Sequence, residues 1–580
     1  MNASAQTMSE ITQQALDGLI RQRVPERLRE RDHTVWRPDP REIADRLGWL
    51  DAGSFLRPHL PDLSAFVNEI CAEGYRDVVL LGMGGSSLGP EVLRRSFLGN
   101  RSPSKDNPRL TLLDSTVPGQ VAAVTQAVDP AHTLFIVSSK SGGTIETLSF
   151  YRHFRHLTES AFSARPEPVE GHPGANFVAI TDAGTPLERL GREAGFRRVF
   201  LNPADIGGRY SVLSWFGMLP AALAGIDVAR LLDTAASMRN RCLGDDAQAN
   251  PGLQLGALLG AMTLAGRDKV TLITPPPIDS FGLWVEQMIA ESLGKEGRGI
   301  VPVAGEPLLS PDCYGDDRLF IYLRTGKGDD EPGLHWCDDA VERLETAGHP
   351  VARLELTSVY DLGAEFFRWE YATAIAGSML DVHPFDQPDV QGAKDNTDVL
   401  LEAFLGRGSL PEFPTVHLPE QPTPRPPELP AAHFPESPTA HPELVEGSVA
   451  SLLEKALPGD YFAIVSYTPV DAEADRLLDE LRSKIMERYR IATTAGYGPR
   501  YLHSTGQLHK GGPGSGLYLQ LTTNRNEELP IPGQPYGFDV LAAAQAIGDY
   551  QALTNLGRRL MSVNLGDDAI SGLRRLLEEF

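Results

Sequence analysis

The chain has 580 residues, too many for one ordinary core, so at least two domains are expected at roughly 100 to 200 residues each. With 41% hydrophobic and 22% charged residues it has the apolar content to bury a sizeable core, while a formal net charge of −24 argues against a general nucleic-acid or anionic-membrane surface. An anionic small molecule would need a local cationic or amide-rich pocket.

The first thirty residues hold no continuous apolar core of signal-peptide length, and no later run approaches ~18 uninterrupted apolar residues. Neither export nor a membrane anchor is expected, and the chain reads as cytoplasmic. Cys71, Cys242, Cys313 and Cys337 are scattered, form no CxxC pair and read as reduced thiols rather than as metal ligands or disulfides.

Residues 1–48 open with an amphipathic helical segment. From 49 to 230 short apolar runs alternate with helix-like stretches. DVVLLGMGG, LTLLDS, TLFIVSSKSGG, NFVAITDAG and RRVFLNP each predict a buried strand followed by a glycine, serine or proline turn. That alternation predicts an α/β fold with a parallel sheet, helices on both faces, and a binding crevice at the carboxyl ends of the strands.

A second alternating unit spans 231–403, with KVTLITPP, RLFIYLR and PVARLEL as strands and the helical stretch FGLWVEQMIAESLG between the first two. Residues 404–447 turn to proline, glutamate, threonine and histidine, a composition that cannot bury enough apolar surface to order itself. They read as a linker or surface insertion, as does the related RPEPVEGHPG at 165–174. Residues 448–580 restart with the strand GDYFAIVSYTPV, the charged helix DAEADRLLDELRSKIMERYR and the strand-like IATTAGYG. This C-terminal α/β part is expected to complete the second domain and the site.

The string SSKSGGTIET, Ser138 to Thr147, follows a strand and leads into a helix. Glycines let the backbone approach a ligand closely, and hydroxyls and free amides at a helix N-terminus, with its dipole, favour a dianion. A phosphate monoester suits such a loop. Helix capping alone is the plainer use of Ser and Thr, but two serines, a threonine, a lysine and two glycines within Ser139 to Thr144 exceed that need.

The earlier loop LLGMGGSSLGP, with Asp114 at the end of the next strand, invites a dinucleotide reading. Gly82, Gly84, Gly85 and Gly89 do not fit G-x-G-x-x-G, however, and that reading leaves SSKSGG unexplained.

In IGGRYSVLS, Arg209 follows a glycine pair and can stabilise developing oxyanion charge without losing its proton. In FGLWVEQMIAESLGKEG, Glu291 lies in a largely apolar helical run. It is either a carboxylate with a raised pKa suited to general-base work or a helix-end carboxylate in water. FDQPDVQGAKDN carries Gln387 and Lys394, and GPRYLHSTGQLHKGG carries His503, Gln507 and His509. Both compositions favour exposed functional turns.

Together these strings resemble the glucose-6-phosphate isomerase family, which is built from two sugar-isomerase domains of three-layer αβα architecture. GMGGSSLGP is similar to the family's first glycine loop, SKSGGTIET to its phosphate loop, GGRYSVLS to its arginine segment, AESLGK to its catalytic glutamate segment and FDQPDVQGAK to its lysine segment. The likeness runs from about Trp36 to the end apart from the two insertions, and is similar in form to the isomerase portion of transaldolase–isomerase fusion proteins.

The resemblance implies that 49–230 and 231–403 are the two domains and that Ser86, Ser139, Ser141 and Thr144 bind a sugar phosphate, with Lys140 nearby and Gly85 and Gly208 lining the site. It further implies Glu291 as the proton shuttle between C1 and C2, Arg209 as the stabiliser of the cis-enediolate, Gln387 as a sugar ligand, and Lys394 and His503 as aids to ring opening. It calls for no metal or cofactor and suggests a homodimer. The family places its histidine before the lysine along the chain. Here HSTGQLH follows Lys394, so His509 stands as the alternative to His503, acting in cis or from a partner subunit. A non-catalytic phosphosugar sensor is the competing reading from another class, and it leaves the glutamate, arginine and lysine without a task.

Overall fold

The structure is a computed structural model that describes residues 7–99, 107–163, 172–326, 332–418, 448–524 and 528–580. Residues 165–171 of the first insertion-like string and 419–447 of the proline-rich stretch lie outside the described residues.

Among the described residues, three all-parallel sheets organise the chain. The first holds β1 (Asp77–Gly82), β2 (Arg109–Leu113), β3 (Thr133–Ser138), β4 (Phe177–Asp182) and β5 (Arg198–Asn202) in the order β2-β1-β3-β4-β5. The second holds β6 (Lys269–Ile273), β7 (Val301–Val303), β8 (Arg318–Thr325) and β9 (Val351–Leu356) in the order β7-β6-β8-β9. The third holds β10 (Val416–His417), β11 (Tyr461–Ser466), β12 (Ala492–Tyr497), β13 (Gly516–Thr522) and β14 (Arg559–Asn564) in the order β10-β14-β13-β11-β12.

The apolar runs of the first unit form strands because a parallel sheet with helices on both sides needs apolar side chains on both faces. Along β1 and β3 successive residues feed different cores. Val78, Leu80, Leu134 and Ile136 enter the large core shared with the helices of the chain's first half and with the second sheet. Val79, Leu81, Phe135 and Val137 enter another core, packed with Phe150 and Phe154 of the helix Ile145–Ser163 and with Phe538, Leu541 and Ile547 of the helix Phe538–Asn555. A helix made near the end of the chain thus covers a sheet made near its beginning.

The strands from Tyr461 onward form, with the short β10, a sheet of their own, whose edge strand β12 lies alongside β7 of the second sheet. A buried ion pair fastens that seam. Arg318, fully buried in β8, donates to both oxygens of Glu306 at 2.8 and 2.9 Å, and Glu306 Oε1 also accepts from the Thr493 backbone amide of β12 at 2.8 Å. Breaking such a pair leaves an uncompensated buried charge, so the seam is stiff in a way a surface bridge is not.

In the first sheet the strand order reverses between β1 and β3, since one continues to β2 on one side and the other to β4 on the opposite side. Crevices at such reversals, outside the carboxyl ends, are where open α/β sheets bind ligands. The loops emerging there are GMGGSS and SSKSGGT. No helix among the described residues is long and apolar enough to cross a membrane.

Leu541 is fully buried between the late helix and the first sheet. Leu541→Ala should cost about 2–5 kcal/mol of unfolding free energy through lost transfer and a residual cavity. A denaturant midpoint unchanged from the parent would show that this helix does not support the sheet.

Candidate active site

The site assembles where three segments meet at the carboxyl ends of the first sheet. After β1, Gly84 turns with φ +54°, and a Cβ there would lie 2.7 Å from the His503 carbonyl oxygen and 2.9 Å from Gln287 Nε2. A Cβ on Gly85 would lie 2.1 Å from the Gly208 carbonyl oxygen. Glycine is therefore required by contact: the first loop rests on the arginine turn and on the histidine turn at once.

After β3, Ser139 Oγ lies 2.8 Å from Thr144 Oγ1 and accepts from the Gly142 amide at 3.1 Å, while the Gly143 amide reaches Ser141 Oγ at 3.4 Å. These bonds shape a compact loop at the N-terminus of the helix Ile145–Ser163, where the positive end of the dipole favours an anion. Ser139 is buried and Ser141 is exposed. Lys140 turns aside, ion-pairing with Asp182 and donating to the Ala204 carbonyl at 3.1 Å.

Arg209 sits in a single tight turn, Gly208–Tyr210, and is 4% exposed. Its Nε donates to Ser292 Oγ at 2.7 Å, Nη1 to Gln387 Oε1 at 2.8 Å, and Nη2 to the Pro384 and Asp386 carbonyls at 2.8 and 2.9 Å. Nη1 also lies 3.3 Å from Glu291 Oε1. Glu291, on the helix Phe281–Leu293, therefore faces a guanidinium in a cleft and is not a helix-end carboxylate in water. Its other oxygen accepts from Gln287 Nε2 at 3.0 Å, and that same nitrogen donates to the His503 carbonyl at 2.8 Å.

Beneath them Lys295 is buried, with Nζ donating to the His383 carbonyl at 2.5 Å and to Asp386 Oδ1 at 2.6 Å. Burial, with the Arg209 charge close by, pulls its ammonium down to about 7. Lys295 holds the turn whose carbonyls receive Arg209.

The two histidines part company. His509, in the short helix Gly506–Gly511, is 2% exposed, its Nδ1 has no hydrogen-bond partner, and its ring packs against Tyr518 and Tyr501 at centroid distances of 5.0 and 5.9 Å. Burial pulls its pKa well below the usual imidazole value, so it is a neutral core residue. His503 closes the turn Arg500–His503, part-exposed, with Nε2 2.9 Å from Glu146 Oε1.

Glu146 is 3% exposed. Burial acts to raise its pKa, but the charge and hydrogen bond of His503, helped by the Lys394 charge, bring it below the ordinary carboxylate value. Lys394 is exposed in the first turn of the helix Gln391–Arg407, where a loop was expected; Pro388 and Gly392 masked the helical pattern. Gln507 ties the histidine segment to the lysine segment, accepting from the Asp389 amide at 3.0 Å and donating to Asp389 Oδ2 at 2.5 Å.

One crevice thus joins Gly85, Ser86, Gly208, Arg209, Glu291, Gln387 and His503, with the Ser139–Thr144 loop beside Glu146 and Lys394 near enough to act on it electrostatically. Of the expected residues, Lys140 is spent on Asp182 and the alternative histidine, His509, on the core. Glu146, Gln287, Ser292, Lys295 and Gln545 were not anticipated. Glu146 had a signal, since it stands two residues past Thr144 in SSKSGGTIET, but an acidic residue in a first helical turn is ordinarily a dipole complement. Among the described residues no group of three or more His, Cys, Asp or Glu side chains is arranged to hold a metal ion.

The family model for phosphoglucose isomerase matches residues 68–296, which carry both loops, Arg209 and Glu291. Glucose-6-phosphate isomerase of Symbiobacterium thermophilum is 30% identical over 401 residues, covering 61% of this chain and 86% of that protein. The probable glucose-6-phosphate isomerase of Methanococcus maripaludis is 28% identical over 384 residues, covering 61% of this chain and 84% of that protein. Among solved structures, a hypothetical protein of Thermus thermophilus matches with a TM-score of 0.57 at 25% identity, over 67% of this chain and 96% of that one. A glucose-6-phosphate isomerase of Chlamydia trachomatis matches in fold with a TM-score of 0.54 at 18% identity, over 69% of this chain and 86% of that one.

The Gly85–Gly208 contact yields a direct test. Gly85→Ala should displace the Arg209 turn and weaken binding of inorganic phosphate by about tenfold or more, read by calorimetry. Affinity equal to the parent's would show that the contact does not shape the site.

Proposed function

The chain belongs to the phosphoglucose isomerase family, and on that premise we propose that it interconverts glucose 6-phosphate and fructose 6-phosphate through a cis-enediolate. The observation that carries this reading is the pairing of Glu291 with Arg209 at 3.3 Å, a carboxylate and a cation that cannot lose its proton, in one crevice with a hydroxyl- and amide-rich loop on a helix N-terminus.

In the proposed reaction the phosphate docks on Ser86, Ser139, Ser141, Thr144 and nearby amides, with Gly85 and Gly208 allowing close approach and Gln387 holding the sugar. His503, with Lys394 at the rim, moves a proton from the C1 hydroxyl to the ring oxygen: the O1–H pair becomes the C1 carbonyl as the C1–O5 bond breaks and O5 takes the proton, so that the sugar opens. Glu291 then takes the proton from C2. The electron pair of that C–H bond forms the C1–C2 double bond, and the carbonyl pair moves to O1, where Arg209 offsets the negative charge. Glu291 returns the proton to C1 while the O2 hydroxyl proton passes to O1, leaving the ketose. General acid/base help of this kind supplies ~100 to 10,000-fold, so positioning through the remote phosphate carries much of the rest.

Residues 49–230 and 231–403 would act as the two sugar-isomerase domains, with 448–580 completing the site. We expect a cytoplasmic homodimer in which each chain uses its own His503. What supports action in cis is the 2.9 Å approach of His503 to Glu146 of the same chain.

Glu291→Gln should lower kcat by about a thousandfold while leaving sugar-phosphate binding within a few-fold, measured by coupled assay of fructose 6-phosphate and by calorimetry. Turnover comparable to the parent's would remove Glu291 as the base. Mixing Glu291→Gln chains with His503→Ala chains separates the two sources of the histidine. Acting in cis, each hybrid lacks one group at every site and stays inactive, whereas recovered activity would assign His503 to the partner.

A further inference from the structure

The acid/base reading assigns no part to Gln545, which lies beyond the residues that the family model matches. It is 3% exposed on the helix Phe538–Asn555, among Leu541, Ala544 and Ile547, which pack on the first sheet. Both ends of its amide are engaged. Nε2 donates to Glu146 Oε1 at 2.7 Å, the same oxygen that lies 2.9 Å from His503 Nε2, and Oε1 accepts from the buried Thr116 hydroxyl at 2.7 Å.

The amide can face only one way. Turned over, it would set its oxygen against a carboxylate oxygen with no proton between them, so its orientation is tied to Glu146 being ionised. A lysine or arginine in this place would neutralise the carboxylate. The neutral amide supplies a hydrogen bond that favours the charged form and leaves that charge free to act on the imidazole.

Other charged and titratable groups face this carboxylate from several elements. They are His503 on its turn, Lys394 on the helix Gln391–Arg407 and Tyr467 at the end of β11. Asp549, one turn along the helix of Gln545, is occupied by Lys510 at 2.5 Å and Tyr501 at 2.6 Å. Gln545 thus meets Glu146 with a neutral donor, where His503 and Lys394 bring charge to the same carboxylate.

We propose that Gln545, held by Thr116, is a positioning residue of the isomerase: it keeps Glu146 ionised and aimed at His503, so that the C-terminal helix sets the protonation state of the ring-opening group. The inference rests on the isomerase reading above. Glu146 and His503 titrate as a pair, so the quantity affected is the pH at which the pair takes up its proton.

Gln545→Leu removes the donor with little change in volume. A hydrogen bond to a charged group is worth enough to move the acid limb of kcat/KM upward by about one to two pH units, a ten- to hundredfold loss on the acid side. The KM for sugar phosphate at the optimum should stay within about twofold, because the phosphate loop is untouched. Histidine-labelled protein followed by 15N NMR should show His503 taking up its proton at higher pH in the variant, a readout independent of turnover. An acid limb and a His503 titration equal to the parent's, with only a lower Tm, would overturn the proposal and leave Gln545 a packing residue. If Gln545→Leu does not fold, Thr116→Val carries the test with a smaller shift of the same sign, and no shift there overturns it equally. A parent protein without isomerase activity would instead sink the isomerase reading, and the NMR titration would still decide the link between Gln545 and the pair.

Discussion

A parallel sheet buried on both faces must be covered twice, and the first sheet here obtains its second cover from distant chain. Val79, Leu81, Phe135 and Val137 point away from the main core and would stand in water without the helices Ile145–Ser163, Gln391–Arg407 and Phe538–Asn555 over them. The need to bury that face draws the end of the chain back to its beginning. The seam between β7 and β12, closed by Glu306, Arg318 and Thr493, holds the third sheet in register with the second while this happens. His503, at the turn after β12, and Gln545, on the covering helix, arrive at Glu146, just past the Ser139–Thr144 loop, as a consequence of packing.

Inside the crevice the same device appears twice. Apart from Glu291, Arg209 is satisfied by neutral acceptors, two backbone carbonyls, an amide oxygen and a hydroxyl, so its charge is solvated without being cancelled. Glu146 receives the amide of Gln545 on the same principle. Fixed dipoles that stabilise a charge while leaving it unspent are what a site needs if that charge is to act on a reacting atom in a water-poor cleft. Lys140 follows the opposite rule, since Asp182 cancels it, and it shapes the loop rather than the field.

Much of this was legible in the residues. Strands β1 to β5 were visible because buried apolar runs ended in Gly, Ser or Pro, and the loops that line the crevice were conspicuous because their glycines and hydroxyls exceed what a turn needs. β7 escaped because three residues, Val301–Val303, make no periodicity. His503 and His509 share one glycine-rich string, and only burial among Tyr501 and Tyr518 separates the core histidine from the one beside Glu146. Gln545 had no signal at all: a glutamine in a helix is unremarkable, and its importance is created by a contact across 399 positions of chain.

That long return also fixes when the enzyme can begin to work. Chains fold from the N-terminus as they leave the ribosome. The Ser139–Thr144 loop, Arg209 and Glu291 are all made well before the turn that bears His503 and the helix that bears Gln545. A nascent or prematurely ended product therefore exposes the sheet face of Val79 and Phe135 and holds the Ser139–Thr144 loop and Glu146 without His503 or Gln545 beside them. Quality control needs no separate check on the crevice in such a design, because the missing helix that leaves the crevice unbuilt also leaves an apolar face bare.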